Sequence, residues 1–181
     1  MIAALVANSA GGTNQWYVTD NAAPGGITFY DDVGQFITGG GWINDPNGRK
    51  GNFGFNARYN KKGKPQGQMV YVYRGMYDGV QADFIIKSNA LDSLSFSGAD
   101  TYPISGTLQG KCNLQINRAS DGMQLFGEGN ATFVAEATDS GKSSGIGFDL
   151  FELNVWDKDG NLYKSVPDTL LGGGNVVIHK K

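Results

Sequence analysis

Residues Asn52–Arg74 read NFGFNARYNKKGKPQGQMVYVYR, and this stretch decides the fold. Phe53, Phe55, Ala57 and Tyr59 alternate with Gly54, Asn56 and Arg58, the two-residue period of a strand with a core on one side and water on the other. NKKGKPQG over residues 60–67 is a turn cluster, after which Met69, Tyr71 and Tyr73 resume the alternation, so the whole stretch predicts a β-hairpin. In its second strand Val70 and Val72 project opposite to Met69, Tyr71 and Tyr73, leaving both faces apolar. A wall with one wet face alternates apolar with polar. The face of Val70 and Val72 is therefore expected to be covered, either by Met1–Gln35, whose Val18, Ile27, Phe29 and Tyr30 need burial, or by a partner molecule.

The same period continues along the chain. Phe84–Lys87 and Leu94 with Phe96 read as short strands, Pro103 and Gly106 interrupt, and Cys112, Leu114 and Ile116 resume. Ser120-Asp121-Gly122 turns the chain into Ala131, Phe133, Ala135 and Ala137; Phe151, Leu153 and Val155 follow. Residues 157–161 turn into Leu162–Val166, and the last strand is Asn175–His179. Helical periodicity is scarce. The fold class is all-β: an antiparallel meander of about eight to ten short strands from Phe36 onward, closing into a barrel or a barrel-like sandwich to escape exposed edges. The GGG-led strands, Gly41–Asn44 and Asn175–His179, are expected to lie together and close it. Residues 1–36 form an N-terminal extension, either an extra strand pair packed on the barrel or a connector from a preceding domain, and 37–181 the β domain.

Of the 181 residues, 15 are Lys or Arg and 17 Asp or Glu, a net charge of −2 that excludes a basic nucleic-acid footprint. Glycine, at 28, is about twice as frequent as usual, but no G-X-Y period accompanies it, and five prolines do not make collagen. No apolar run approaches the length of a membrane span, and Met1–Ala7 lacks the basic flank of a signal peptide. The chain reads as a piece of something longer. One cysteine, Cys112, and one histidine, His179, are too few for a zinc site, and the cysteine count does not fix the compartment.

Four segments together are distinctive: ITGGGWI at Ile37–Ile43, NFGFNARYNKKGKPQG at Asn52–Gly67, ELNVWDKDGNLYKS at Glu152–Ser165 and LGGGNVVIH at Leu171–His179. In this order they resemble the post-COAP (post choice-of-anchor) family, domains found toward the C-terminal ends of secreted bacterial surface proteins. The resemblance covers about Ile37–His179, most closely at its two ends and loosely over Gly75–Gly147; Met1–Gln35 lies outside it. It implies an all-β, extracellular or cell-surface, non-catalytic module. It also implies that Tyr71 and Tyr73 point inward and Val70 and Val72 outward. No catalytic residues transfer with it.

Asp157, Asp159 and Asn161 in WDKDGNLYK place oxygen side chains at alternate positions, as the first half of a calcium loop does. Gly160 stands fourth instead of sixth and the twelfth residue is Asp168 in place of the bidentate glutamate, so a hairpin turn is the main reading and calcium the lesser one. NDPNG around Asn44, Asp45 and Asn47 is likewise a turn first. Neither glycine triplet precedes the Lys and Ser or Thr of a phosphate loop, so both are expected to serve close backbone contacts. Carboxylates for a hydrolase could come from Asp83, Glu128, Glu136, Asp149 and Glu152, but nothing in the sequence joins a pair. Trp42 and Trp156 read as core or rim plugs, and His179 as solvated. Tyr17, Tyr30, Tyr77 and Tyr102, in less regular stretches, are the candidates for a ligand-binding surface, with Val70 and Val72 as an interaction face.

The expected function is non-catalytic: adhesion, attachment or structural support within a larger extracellular protein. No cofactor is expected. Expected partners are neighbouring domains and a surface glycan or another protein, without nucleic acid or membrane span. The alternative is a glycan- or small-molecule-binding barrel with an open mouth, and a two-carboxylate hydrolase ranks behind it.

Overall fold

The computed structural model describes residues 5–7, 16–18, 35–98 and 101–180, the first two segments by backbone alone. The chain divides into two compact units, Met1–Asp32 and Val33–Lys181. In the first, β1 (Leu5–Ala7) pairs antiparallel with β2 (Trp16–Val18).

The second unit holds nine antiparallel strands and, among the described residues, no helix: β3 (Phe36–Asn44), β4 (Lys50–Tyr59), β5 (Pro65–Tyr77), β6 (Val80–Ser97), β7 (Ile104–Arg118), β8 (Gln124–Asp139), β9 (Leu150–Trp156), β10 (Leu162–Leu170) and β11 (Gly173–His179). They form one sheet in the order β10-β9-β8-β7-β6-β5-β4-β3-β11. In a flat sheet the two edge strands would stand about 38 Å apart at the usual strand spacing. Only Leu171 and Gly172 connect β10 to β11, a link of roughly 10 Å. The sheet must therefore curl until its edges meet at that corner, and it does so as a half-barrel.

The hairpin of β4 and β5 forms in the expected register, Phe53 opposite Tyr71 and Phe55 opposite Met69. The strands are not all short, however. Phe84–Lys87 and Leu94–Phe96 belong to one strand, β6, whose alternation is broken by irregularities between Ser88 and Ala90 and between Leu91 and Ser93. Those shifts turn the side-chain pattern over and hide the continuity from a reading by period. Gly106 interrupts nothing: a Cβ there would stand 2.6 Å from Ile37 Cδ1, so the glycine admits a core side chain.

Three hairpin loops share one construction. Asp45, Asn60 and Asp157 each accept, through Oδ1, the amides two and four residues on, at 2.8–3.1 Å. The fourth loop residue is Gly48, Gly63 or Gly160, at φ 69–84°, where a side chain is strained.

The two GGG-led strands lie together, Gly41 opposite Gly174 and Gly39 opposite Val176. Their pairing does not close the sheet, because β11 then becomes an edge itself. The seam is closed by side chains instead. Asp139, at the end of β8, accepts the Ile178 amide at 2.9 Å, and Asp149 accepts the Val176 amide at 2.8 Å. Both carboxylates are buried. They occupy edge amides that would otherwise be open to another strand.

Inside, Phe151 stacks on Phe53 at 4.2 Å between ring centroids, with Phe55 and Tyr71 each 6.2 Å away. Ile37, Ile43, Leu108, Leu114, Phe133 and Leu153 complete a filled core. Tyr71 and Tyr73 point inward and Val70 and Val72 lie half-buried on the outer face, as expected. Cys112 is buried, and burial pushes its thiol up to about 12, leaving it inert.

Candidate functional site

The interior is filled, and register maps the outer face as rows across the strands. One row runs His179, Phe36, Arg58 and Gln66; the next Val177, Thr38, Asn56 and Gln68; the third Asn175, Gly40, Gly54, Val70 and Lys87. Two adjoining surface hollows lie over these rows. The first, about 360 Å³, is lined by Phe36, Thr38, Asn56, Arg58, Gln66 and Gln68 among others; the second, about 410 Å³, lies over Gly54 between Asn56 and Gln68 on one side and Val70 and Lys87 on the other. With its amide oxygen turned toward Arg58, Gln66 accepts from Nε at 2.7 Å and Nη2 at 3.1 Å, which fixes the guanidinium. Phe36 stacks on His179 at 3.9 Å, so that histidine is a half-buried partner of an aromatic ring and not simply solvated.

Of the four tyrosines singled out from sequence, the two with described side chains, Tyr77 and Tyr102, do not share a platform. Tyr30 and the side chain of Tyr17 lie outside the described residues. Tyr77, at the β5–β6 turn, packs edge-on against Phe84. Tyr102, exposed, lies at the opposite end of the long β6–β7 ladder beside Lys180. Trp42 and Trp156 are not core residues: both occupy outward positions of their strands and are half-buried. Trp42 lies so close over Gly172 and Gly173 that a Cβ on either would stand 2.2 Å from its ring, which is the use of that triplet. Val70 and Val72 share their patch with Ile85, the register partner of Val72. Sequence reasoning missed these residues: Asn56 and Arg58 read as the wet side of a strand, Gln66 as part of the turn cluster, and Gln68 had no reading. The available signal was that these positions carry amides and one arginine and no acid.

Asp157, Asp159 and Asn161 form the turn. Asp157 Oδ1 accepts two backbone amides, and the Asn161 side-chain amide reaches both carboxylate oxygens at 3.1–3.3 Å. The Asn161 side chain and amide hold the Asp157 carboxyl below its ordinary range. Calcium would have to displace these bonds. Millimolar calcium should therefore leave Tm unchanged in a thermal melt, whereas a site with Kd 100-fold below the calcium concentration would add about 2.7 kcal/mol. An upward shift abolished by Asp157→Asn with Asp159→Asn would establish an ion site.

The carboxylates considered for hydrolysis are dispersed, with one exception. Asp149 is buried in the seam, Asp83 pairs with Arg74 at 2.8 Å, and Glu128 accepts the Lys158 amide. Glu136 and Glu152 are direct register partners on the outer face, a pairing that strand register alone supplies. Thr107 donates to Glu136 at 3.3 Å and Asn154 to Glu152 at 2.7 Å, and neither acid lines either of the two hollows. A further pair went unnoticed in the sequence: Lys164 Nζ lies 2.8 Å from Asp45 Oδ2, both side chains nearly or wholly buried, and 4.6 Å from the Tyr73 ring centre. No family model, curated protein or solved structure matches the chain.

Proposed function

We propose that the chain is a non-catalytic module of a larger secreted or surface protein, acting in adhesion, attachment or structural support. The observation that carries this reading is the filled interior around Phe151, which leaves the outer face as the surface offered to partners. The carboxylates add support, since Asp45, Asp139 and Asp149 are engaged in holding the sheet together. Ile146, Phe148 and Leu170, each more than half exposed, gather at the β10–β11 corner, where the Gly147 amide donates to the Leu171 carbonyl at 2.9 Å. An apolar group of this kind suits docking against a neighbouring domain. The resemblance to post-COAP domains points to the same extracellular setting. No cofactor enters this reading.

The test is attachment without turnover. Purified chain incubated with bacterial cell envelopes should co-sediment with them and release no soluble sugar or peptide. A chain that stays in the supernatant removes the attachment reading. Released product that disappears in Glu136→Gln with Glu152→Gln replaces it with the hydrolase reading.

A further inference from the structure

Most glycines in this sheet have a local reason. A Cβ on Gly39 would stand 2.4 Å from Phe55, on Gly51 2.0 Å from the Tyr71 hydroxyl, and on Gly110 2.1 Å from the Ala90 carbonyl. Gly40 and Gly54 have none: a Cβ would meet nothing closer than 3.6 Å and 3.8 Å, and neither has a positive φ. They are register partners in mid-strand, where glycine weakens a sheet. What they do is keep the outer face low, and Gly54 lines the second hollow.

Polar side chains on the outer face fall into two groups. Some pair across strands on β6 to β10: Asn89 with Asn113, Ser93 with Gln109, Ser105 with Thr138, Ser165 with Asn154. Thr38, Asn56, Gln68 and Lys87 make no side-chain hydrogen bond within the described chain. Donors and acceptors that line a hollow and are bound to no protein group give up only water when they bind hydroxyl groups, with little reorganisation of the protein. Arg58 and Lys87 mark its two ends, and no carboxylate lines either hollow. Phe36 offers an aromatic edge at one rim.

The geometry points to a binding site for an acidic oligosaccharide, a chain of uronic-acid residues, across β3, β4, β5 and β6. Its hydroxyls meet Thr38, Asn56 and Gln68, and its carboxylates meet Arg58 and Lys87. This rests on the attachment reading and gives it a ligand. Specificity comes from the amides, and the two cations add a salt-dependent share.

The experiment is titration calorimetry of the full chain with polygalacturonate and with alginate, against cellohexaose and polyglutamate. Binding to at least one of the uronates, weakened by salt and absent for both controls, is expected. Gly54→Val places a side chain in the second hollow without backbone strain and should abolish binding at unchanged Tm. Asn56→Ala with Gln68→Ala should raise Kd about tenfold or more, and it keeps the test valid if Gly54→Val fails to fold. Binding to neither uronate overturns the proposal, as does equal binding to polyglutamate or wild-type affinity in the Asn56/Gln68 variant. If that variant still co-sediments with envelopes, the attachment reading stands and the groove assignment falls.

Discussion

Removal of Gly174–Lys181 should abolish cooperative unfolding. The truncation strips β11 from β3 and takes Val176 and Ile178 out of the core, where both are buried. Each such side chain contributes about 1.5–3 kcal/mol. It also leaves the buried Asp139 and Asp149 carboxylates without the amides of Ile178 and Val176, about 1–3 kcal/mol for each group stranded. The combined loss, roughly 5–12 kcal/mol, is comparable with the whole stability of a domain this size. The expected result is a chain with no sigmoidal thermal or urea transition and with dye-accessible apolar surface. A truncated protein that melts cooperatively at the wild-type temperature would show that β11 is an accessory and not part of the fold. A milder version separates the seam from the strand: Asp139→Ala keeps β11 and removes one cap, so Tm should fall while the transition stays cooperative.

The seam also shows where reading from the sequence stops. Period-two alternation was enough for the β4–β5 hairpin and for Ala131 to Ala137 on one face, because one-sided burial writes itself into every second residue; with both faces of β5 apolar it could not orient Tyr71 and Tyr73, whose inward direction came only from the family resemblance. It failed at Ser88–Ala90, where a shift in register reverses the pattern in mid-strand; the Ser88 hydroxyl there accepts the Met69 amide at 2.7 Å. Asp139 was partly legible, since it continues the inward parity of Ala131, Phe133, Ala135 and Ala137 and an acid at a core position needs a partner. Its partner was not, because nothing local states that a two-residue link returns β11 to the far edge. The candidate groove was legible only as amides and one arginine without an acid; its shape was not, for the same reason. Thr38, Asn56 and Gln68 form a row only when three strands are in register, and Gly40 and Gly54 become a floor only when they face each other. Glu136 and Glu152 met by register as well.

Lys164→Met should destabilise the protein by about 3–5 kcal/mol at pH 7, the usual consequence of removing one partner of a buried ion pair. Lys164 belongs to the edge strand β10, and Asp45 follows β3, next to the opposite edge, so their 2.8 Å contact ties the curled sheet across its opening. The side chains are 9% and 0% exposed, which removes the solvent screening that makes surface pairs weak. Asp45 also holds the β3–β4 turn through the amides of Asn47 and Arg49. Burial alone would raise its carboxyl, but the bond from Lys164, the Arg49 amide, the Lys164 charge and the Asn47 amide together bring it below the ordinary range. A carboxyl lowered on folding adds stability above its unfolded pKa and loses it as pH falls through the folded value. In the wild type this contribution is therefore intact at neutral pH and fades only in strong acid. Without Lys164 the ammonium is gone and burial remains, so the shift weakens or reverses and protonating Asp45 relieves part of the penalty. The stability gap between wild type and Lys164→Met should narrow as pH is lowered from 7 toward 4, measured by urea denaturation at each pH. Asp45→Asn with Lys164→Met should lose less than the sum of the single changes, because neither charge is left alone. A gap that is small at pH 7, or one that keeps its size on acidification, would mean that packing of the lysine stem and not the ion pair holds the opening of the half-barrel together.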